Sequence, residues 1–144
     1  MIEINNLTKK FDQFVAVDNL SFTVKEGEVL GFLGPNGAGK STTMKVITGF
    51  LSPTSGSVTI DGNDISQQSL KAKSLIGYLP EGAPSYGDMT TIEFLRFIAQ
   101  VRGFRGEEID KRVQHVITEV ALEAVREQSI ETLSKGFKRR VGLA

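Results

Sequence analysis

The spacing of apolar residues differs between the two halves of the chain. In the first half, apolar residues either alternate with polar ones or run without interruption, and both patterns are typical of strands. The strands predicted in this way cover residues 2–8, 15–24, 29–33, 57–60 and 75–79. One helix is predicted from Lys40 to about Phe50, and residues 66–74 have weak helical character.

Helical spacing dominates the second half. Thr90 and Glu93 form a capping-box pattern before a predicted helix that reaches Gly103, and a second helix is predicted over residues 107–121. Between the two halves, GAPSYGDM is rich in turn residues and has no apolar periodicity. We therefore predict an α/β part over residues 1–82 and a helical part over residues 83–144.

Composition excludes several classes of protein. Seventeen basic residues balance 17 acidic ones, and the chain has no cysteine, which excludes disulfides and thiolate metal sites. No apolar run approaches the roughly 20 residues that cross a bilayer, and the start lacks the apolar stretch of a secretory signal. The basic run Lys138, Arg139 and Arg140 is more typical of a solvated helix face than of a nucleic-acid site, so no nucleic acid is predicted.

The chemistry of the chain is concentrated in GPNGAGKST, which matches the pattern G-x-x-x-x-G-K-[ST]. A predicted buried strand precedes this segment and a predicted helix follows it, so backbone N–H groups and the positive helix end converge on one anion site. A plain glycine-rich turn is the alternative, and it leaves the strand, loop and helix context unexplained. The predicted nucleotide-binding residues are Gly34, Pro35, Asn36, Gly37, Ala38, Gly39, Lys40, Ser41 and Thr42.

Three side chains of this segment have predicted roles. Lys40 is expected to bridge the β- and γ-phosphates of a nucleoside triphosphate, and Ser41 to supply a hydroxyl to Mg²⁺. Thr42 is expected to donate to the phosphate nearest the sugar. The glycines are required because a side chain would meet the phosphates or forbid the backbone angles of the loop.

A second segment, LSKGF at Leu133–Phe137, lies about a hundred residues further along and is similar to the LSGGQ signature of the ATP-binding cassette (ABC) family. The segment IGYLPEGAPSYGDMT resembles the region where the Q-loop of that family leaves a strand, with Glu81 in place of the usual glutamine. The chain thus resembles the nucleotide-binding domain of ABC transporters, in the exporter-like multidrug and ABC-2-type branch.

This resemblance implies a P-loop NTPase fold with an antiparallel N-terminal part, parallel core strands and a helical subdomain. It also implies that Phe11 stacks on adenine, that Val17 packs on another part of the base, and that Glu81 approaches Mg²⁺ or the attacking water. Ser134 and Gly136 would contact the γ-phosphate of ATP held by an opposite subunit. Ser134 is also suited to cap a helix that starts near Lys135.

The function implied by the resemblance is that of an ATP-hydrolysing motor that works as a homodimer with an integral membrane permease subunit. It would lie in the cytoplasm, peripheral on the inner face of the cell membrane. The Walker B aspartate and the catalytic glutamate of the family are not found in the 144 residues. We therefore expect an N-terminal fragment, without a catalytic residue of its own, that binds Mg-ATP better than it hydrolyses it.

Two other functions remain open. A soluble ABC-type ATPase or nucleotide switch acting on ribosomes or DNA shares the same motifs. A P-loop kinase or GTPase explains the phosphate-binding segment but not LSKGF.

Overall fold

The structure is a computed structural model that describes residues 1–80 and 86–144. The chain divides into two compact units, unit 1 over Met1–Tyr78 and unit 2 over Leu79–Ala144. The predicted boundary between residues 82 and 83 lies outside the described residues.

Unit 1 is built on a four-stranded antiparallel sheet with the strand order β2-β1-β3-β4. Its elements are β1 (Ile2–Phe11), β2 (Phe14–Val24), α1 (Lys40–Ile47), β3 (Ser55–Ile60), β4 (Asn63–Asp64) and α2 (Ser69–Ser74). Three predicted strands and the helix that begins at Lys40 are thereby confirmed. Helix α1 ends at Ile47 rather than near Phe50, because Gly49 takes a left-handed φ of 70°.

The two predicted buried strands at residues 29–33 and 75–79 are wrong as secondary structure. Neither segment is a strand, and every strand pair among the described residues is antiparallel. A run that is apolar on both faces forms a strand only between partner strands, and the described residues offer none to either run. Val29 is accordingly 97% exposed, although Phe32 packs its ring 5.7 Å from that of Phe22.

The core of unit 1 joins the sheet to helix α1. Leu7 from β1, Val46 from α1 and Val58 from β3 are fully buried in one cluster. The complete cluster contains Ile4, Leu7, Val17, Val46, Ile47, Val58, Ile60, Ile65 and Ala72. This core fixes helix α1 in place. The loop that leads into the first turn of α1 is therefore fixed at its C-terminal end.

Unit 2 is helical, as predicted. It contains α3 (Thr91–Val101), α4 (Glu107–Glu119), α5 (Lys135–Leu143) and two short 3₁₀ turns, Glu123–Val125 and Ile130–Thr132. Apolar faces of all three helices meet in a second core, which includes Leu95, Ile117 and Val141. No helix among the described residues is both long and apolar enough to cross a membrane.

The predicted capping box at the start of α3 is confirmed. The Thr90 hydroxyl accepts a hydrogen bond from the Glu93 backbone N–H, and the Glu93 carboxylate accepts one from the Thr90 N–H at 2.8 Å. Close by, the Gly87 carbonyl accepts from the Ser129 hydroxyl at 2.8 Å and from the Glu131 N–H at 3.0 Å. The two bonds to Gly87 fix the residues just before α3 to the segment that leads into α5.

Candidate functional site

The phosphate loop, Gly34–Thr42, runs into the first turn of α1 and needs glycine at two positions. Gly37 and Gly39 have φ values of 85° and 82°, in the left-handed region that side chains disfavour. A Cβ on Gly39 would also lie 2.3 Å from the carbonyl oxygen of Ala16 in β2. The loop therefore rests directly on the backbone of the sheet, a contact that only glycine permits.

The ammonium of Lys40 joins the two ends of the phosphate loop. Its Nζ donates to the Gly34 carbonyl oxygen at 2.6 Å and to the Pro35 carbonyl oxygen at 2.7 Å. An ammonium has three protons, so one remains for a further acceptor. The positive charge is thus fixed within the loop and retains a donor for an anion.

The first turn of α1 adds backbone donors beside this charge. Thr43 is buried and fastens the turn, because both its N–H (2.8 Å) and its hydroxyl (3.0 Å) donate to the Gly39 carbonyl. Ser41 stays exposed and Thr42 is half-buried, so both hydroxyls can reach a ligand. No acidic residue lies in the first turn to neutralise the positive end of the helix.

The residues present fit a bound triphosphate with Mg²⁺. Within the part of the loop before α1, the structure records one donated backbone bond, from the Ala38 N–H to the Pro35 carbonyl at 3.2 Å, which leaves other N–H groups of the described loop for an anion. A Cβ on Gly37 would meet no atom of residues 1–80 or 86–144 within 4 Å, so these residues leave the space beside the loop open. Mg²⁺ commonly takes one or two protein oxygens together with phosphates and waters, which the Ser41 hydroxyl suits.

The two residues predicted to contact the base occupy different positions in unit 1. Phe11 ends β1, pairs with Phe14 across the hairpin and is 43% exposed. Val17 is only 7% exposed, and its Cγ2 lies 3.3 Å from the site of a Cβ on Gly39. Phe11 thus offers a ring surface to a ligand, whereas Val17 mainly supports the phosphate loop from below.

The signature segment, Leu133–Phe137, opens helix α5 in unit 2. The Ser134 hydroxyl accepts a hydrogen bond from the Phe137 N–H at 3.3 Å, which confirms Ser134 as the helix N-cap. Gly136 is exposed, and among the described residues outside the helix backbone a Cβ there would contact the Ser134 hydroxyl oxygen alone, at 3.9 Å. The first turn of α5 therefore has an open surface around Ser134 and Gly136.

Phe137, which departs from the LSGGQ pattern, has a packing function that the sequence did not reveal. Its ring packs against the core of unit 2 and lies 5.4 Å from the Arg140 guanidinium. Arg140 also donates to the Ala121 carbonyl at 3.2 Å, and Lys138 to the Glu131 carbonyl at 2.8 Å. Two members of the basic run thus bind the protein's own backbone.

Glu81, predicted to approach Mg²⁺ or the attacking water, lies outside the described residues. The phosphate loop, Phe11 and Val17 belong to unit 1, and Ser134 and Gly136 belong to unit 2. Sequence reasoning missed Ala16, Thr43 and Lys9, whose contacts support the loop and Phe11. Only Thr43 had a local signal, as the third hydroxyl residue after Lys40.

Two curated relatives match almost the whole chain. It is 41% identical over 144 residues to the probable multidrug ABC transporter ATP-binding protein YbhF of Escherichia coli, a match that covers 100% of the chain and 25% of that protein. It is 38% identical to the linearmycin resistance ATP-binding protein LnrL of Bacillus subtilis, covering 99% of the chain and 46% of that protein. The chain therefore spans between a quarter and a half of the length of these relatives.

A solved structure shares the fold. A dimeric ATP-binding cassette in a post-hydrolysis state, bound to ADP and Pi, superposes with a TM-score of 0.83 at 26% identity, over 99% of the chain and 67% of that structure. The fold is thus that of the ABC ATPases, within the P-loop NTPases. A family model described as ABC transporter matches residues 17–144, and the chain accordingly belongs to the ABC transporter family.

Proposed function

We propose that this chain is the Mg-ATP-binding part of an ABC transporter motor, which in its full-length form hydrolyses ATP to power transport across a membrane. The observation that carries the proposal is the Lys40 ammonium, held by the Gly34 and Pro35 carbonyls in a loop that rests on the sheet. The names of the relatives, an ABC transporter ATP-binding protein and a resistance ATP-binding protein, support the same class.

Each residue of the site has a part in this proposal. The third proton of Lys40 faces the β- and γ-phosphates, the loop N–H groups bind the remaining phosphate oxygens, and the Thr42 hydroxyl serves the phosphate nearest the sugar. The Ser41 hydroxyl would hold Mg²⁺, which would supply charge neutralisation at the phosphates. Phe11 stacks on adenine, and Val17, with little exposed surface, contributes at most an edge contact.

The remaining proposed contacts come from an opposite subunit, from Glu81 and from a permease subunit. Ser134 and Gly136, at the open first turn of α5, bind the γ-phosphate of ATP held by an opposite subunit in a homodimer. The dimeric state of the solved cassette bound to ADP and Pi supports the homodimer. Glu81, outside the described residues, would be the carboxylate that serves Mg²⁺ or the attacking water. A permease subunit anchors the motor to the inner, cytoplasmic face of the membrane.

We also propose that this chain alone hydrolyses ATP slowly. No apolar run ending in Asp-Glu follows Ser134 within the 144 residues, so neither the Mg²⁺-orienting aspartate nor the general base of the family is supplied by them. Loss of such groups reduces phosphoryl-transfer rates by roughly a hundredfold or more.

The test is Mg-ATP binding and turnover by this chain and by a longer chain that includes the following strand. Lys40→Ala should weaken binding by about tenfold or more in both, because the ammonium that meets the phosphates is lost. Lys45→Ala is the matched control, since Lys45 is exposed in the last turn of the same helix, and it should leave binding within about twofold.

The proposal fails if Lys40→Ala binds ATP as well as the wild type, or if both chains hydrolyse ATP at equal rates. Recovery of the intact protein with ribosomes, and not with membranes, would instead support the soluble ATPase function.

A further inference from the structure

Lys9 lies two residues before Phe11 in β1, and its ammonium makes two recorded contacts. The Nζ donates a hydrogen bond of 2.9 Å to the Ser52 carbonyl oxygen, and it lies 5.1 Å from the centroid of the Phe11 ring. A cation within about 6 Å of an aromatic centroid is attracted to the ring face. Residues i and i+2 of a strand share a face, which brings the two side chains together.

The carbonyl that holds Lys9 is itself fixed to β1. The segment after Ser52 is attached to this strand by two further hydrogen bonds. The Thr54 N–H donates to the Thr8 carbonyl at 2.9 Å, and the Lys10 N–H donates to the Thr54 hydroxyl at 2.9 Å. The Lys9 ammonium is therefore held in a defined position relative to the ring.

The Phe11 ring is only partly covered by other residues. The ring lies at the end of β1, beside a turn in which Asp12 has a left-handed φ of 50°, and it is 43% exposed. Ordering a side chain on binding costs about 0.5–1.5 kcal/mol, which a preformed contact reduces.

We propose that Lys9 is a positioning residue for the base, because it holds the Phe11 ring through a cation–π contact and leaves the exposed ring surface ready for adenine. This inference rests on the proposed stacking function of Phe11. The charge of Lys9 acts on the ring and on the Ser52 carbonyl, so its effect on affinity requires a base. A lysine that attracted phosphate directly would act equally on a ligand that has no base.

The experiment compares Mg-ATP with Mg-tripolyphosphate by titration calorimetry on the full chain. Lys9→Met removes the cation and keeps the apolar stem, and it should lower ATP affinity by about threefold to fivefold with little change for tripolyphosphate. Lys9→Arg keeps a cation and a donor and should restore most of the ATP affinity. Lys10→Met is the matched control, since it makes the same charge change at the exposed neighbour, and both affinities should stay unchanged.

Two comparisons separate this inference from the function on which it rests. Phe11→Leu should lower the ratio of ATP to tripolyphosphate affinity, and adding Lys9→Met to it should cause no further loss. An unchanged ratio in Phe11→Leu overturns the base site itself. A lowered ratio in Phe11→Leu with an unchanged ratio in Lys9→Met overturns only the positioning function of Lys9.

Equal losses of both ligands in Lys9→Met also overturn the inference, because they would show a direct effect on phosphate. Urea unfolding checks that each variant is folded. If Lys9→Met does not fold, Lys9→Gln retains a donor for Ser52 without the cation, and it is expected to show the same selective loss of ATP affinity.

Discussion

The carbonyl oxygen of Ala16 lies 2.3 Å from the place that a Cβ would take on Gly39. Real Cβ atoms do not approach a backbone oxygen so closely, so the phosphate loop is in contact with β2 through a glycine that no other residue can replace without movement. The position of the phosphate loop therefore depends on the sheet. The sheet in turn packs against α1 in the core of unit 1.

Gly39→Ala is therefore expected to displace the phosphate loop. The new Cβ meets the Ala16 oxygen, and the left-handed φ of 82° adds strain, so we expect the free energy of unfolding to fall by about 2 kcal/mol or more. Mg-ATP affinity should fall with it, because the Lys40 ammonium and the loop N–H groups no longer converge. Urea unfolding and calorimetric titration measure the two effects.

Gly37→Ala is the matched control for this prediction. Gly37 has nearly the same φ, 85°, but a Cβ there would meet no atom within 4 Å in the described part of the chain. Only the backbone strain of about 1–2 kcal/mol should remain. Equal destabilisation by the two substitutions would show that the contact with Ala16 has no energetic weight.

The helix that begins at Lys40 could be predicted because its signals are local, whereas the ligand contacts of Gly34–Thr42 stay predictions. Glycines and a lysine at fixed spacing, between an apolar run and a helical pattern, are all contained in one short segment. The hydrogen bond that fixes the Lys9 ammonium beside Phe11 could not be predicted in this way, because Lys9 is 43 residues from Ser52 and the two meet only in the folded chain. The spacing of residues within a short segment carries no information about contacts with residues far away in the sequence.

The two wrong strand predictions have a related cause. Residues 29–33 and 75–79 have the composition of buried strands, but a strand is defined by pairing with another strand, and none is supplied by the described residues. Strands β1, β2 and β3 were predictable because each is a short apolar or alternating run next to turn residues, and their antiparallel arrangement was implied by the family resemblance. Strand β4 was missed because its two residues, Asn63 and Asp64, are too short for any periodicity.

Thr91→Val should stabilise unit 2. The Thr91 side chain is fully buried in the first turn of α3, and its hydroxyl has no hydrogen-bond partner in the part of the chain that the structure describes. Valine has a similar shape and no polar group to desolvate, so the free energy of unfolding should rise by about 1 kcal/mol. Thr90→Val, at the adjacent N-cap, should have the opposite effect of about 1 kcal/mol.

Urea unfolding of both variants tests this pair. A loss of stability in Thr91→Val would mean that the hydroxyl makes a stabilising hydrogen bond after all. Opposite changes in the free energy of unfolding at two neighbouring threonines would separate the effect of helix capping from that of burying an unpaired hydroxyl.

The stability of unit 2 should depend on pH through Glu93. The hydrogen bond from the Thr90 backbone N–H, followed by that from its hydroxyl, lowers the pKa of the Glu93 carboxyl from its ordinary value. A carboxyl with a lowered folded-state pKa stabilises the fold fully above its unfolded pKa of about 4.3. That contribution is lost as the pH falls through the folded-state pKa.

Glu93→Gln should remove this pH dependence. The difference in unfolding midpoint between wild type and variant should be largest near neutral pH and should shrink as the pH falls below about 4. Urea titrations at a series of pH values measure it. A difference that grows on acidification would reverse the sign and contradict the assigned hydrogen bonds.

Ser134 offers the last test, because capping and phosphate binding make different demands on its side chain. Capping requires an oxygen that accepts from the Phe137 N–H, and aspartate supplies one as well as serine does. Ser134→Ala should therefore lower the free energy of unfolding by about 1 kcal/mol, whereas Ser134→Asp should preserve it.

Phosphate binding should separate Ser134→Asp from the wild type, whereas capping should not. The carboxylate of Ser134→Asp would repel the γ-phosphate of an opposite subunit, so ATP-dependent dimerisation of the full-length protein should fall by about tenfold or more although its stability is unchanged. Sedimentation with and without Mg-ATP measures this association. If Ser134→Asp dimerises like the wild type, Ser134 serves only as the cap of α5, and the proposed contact with phosphate must come from other groups.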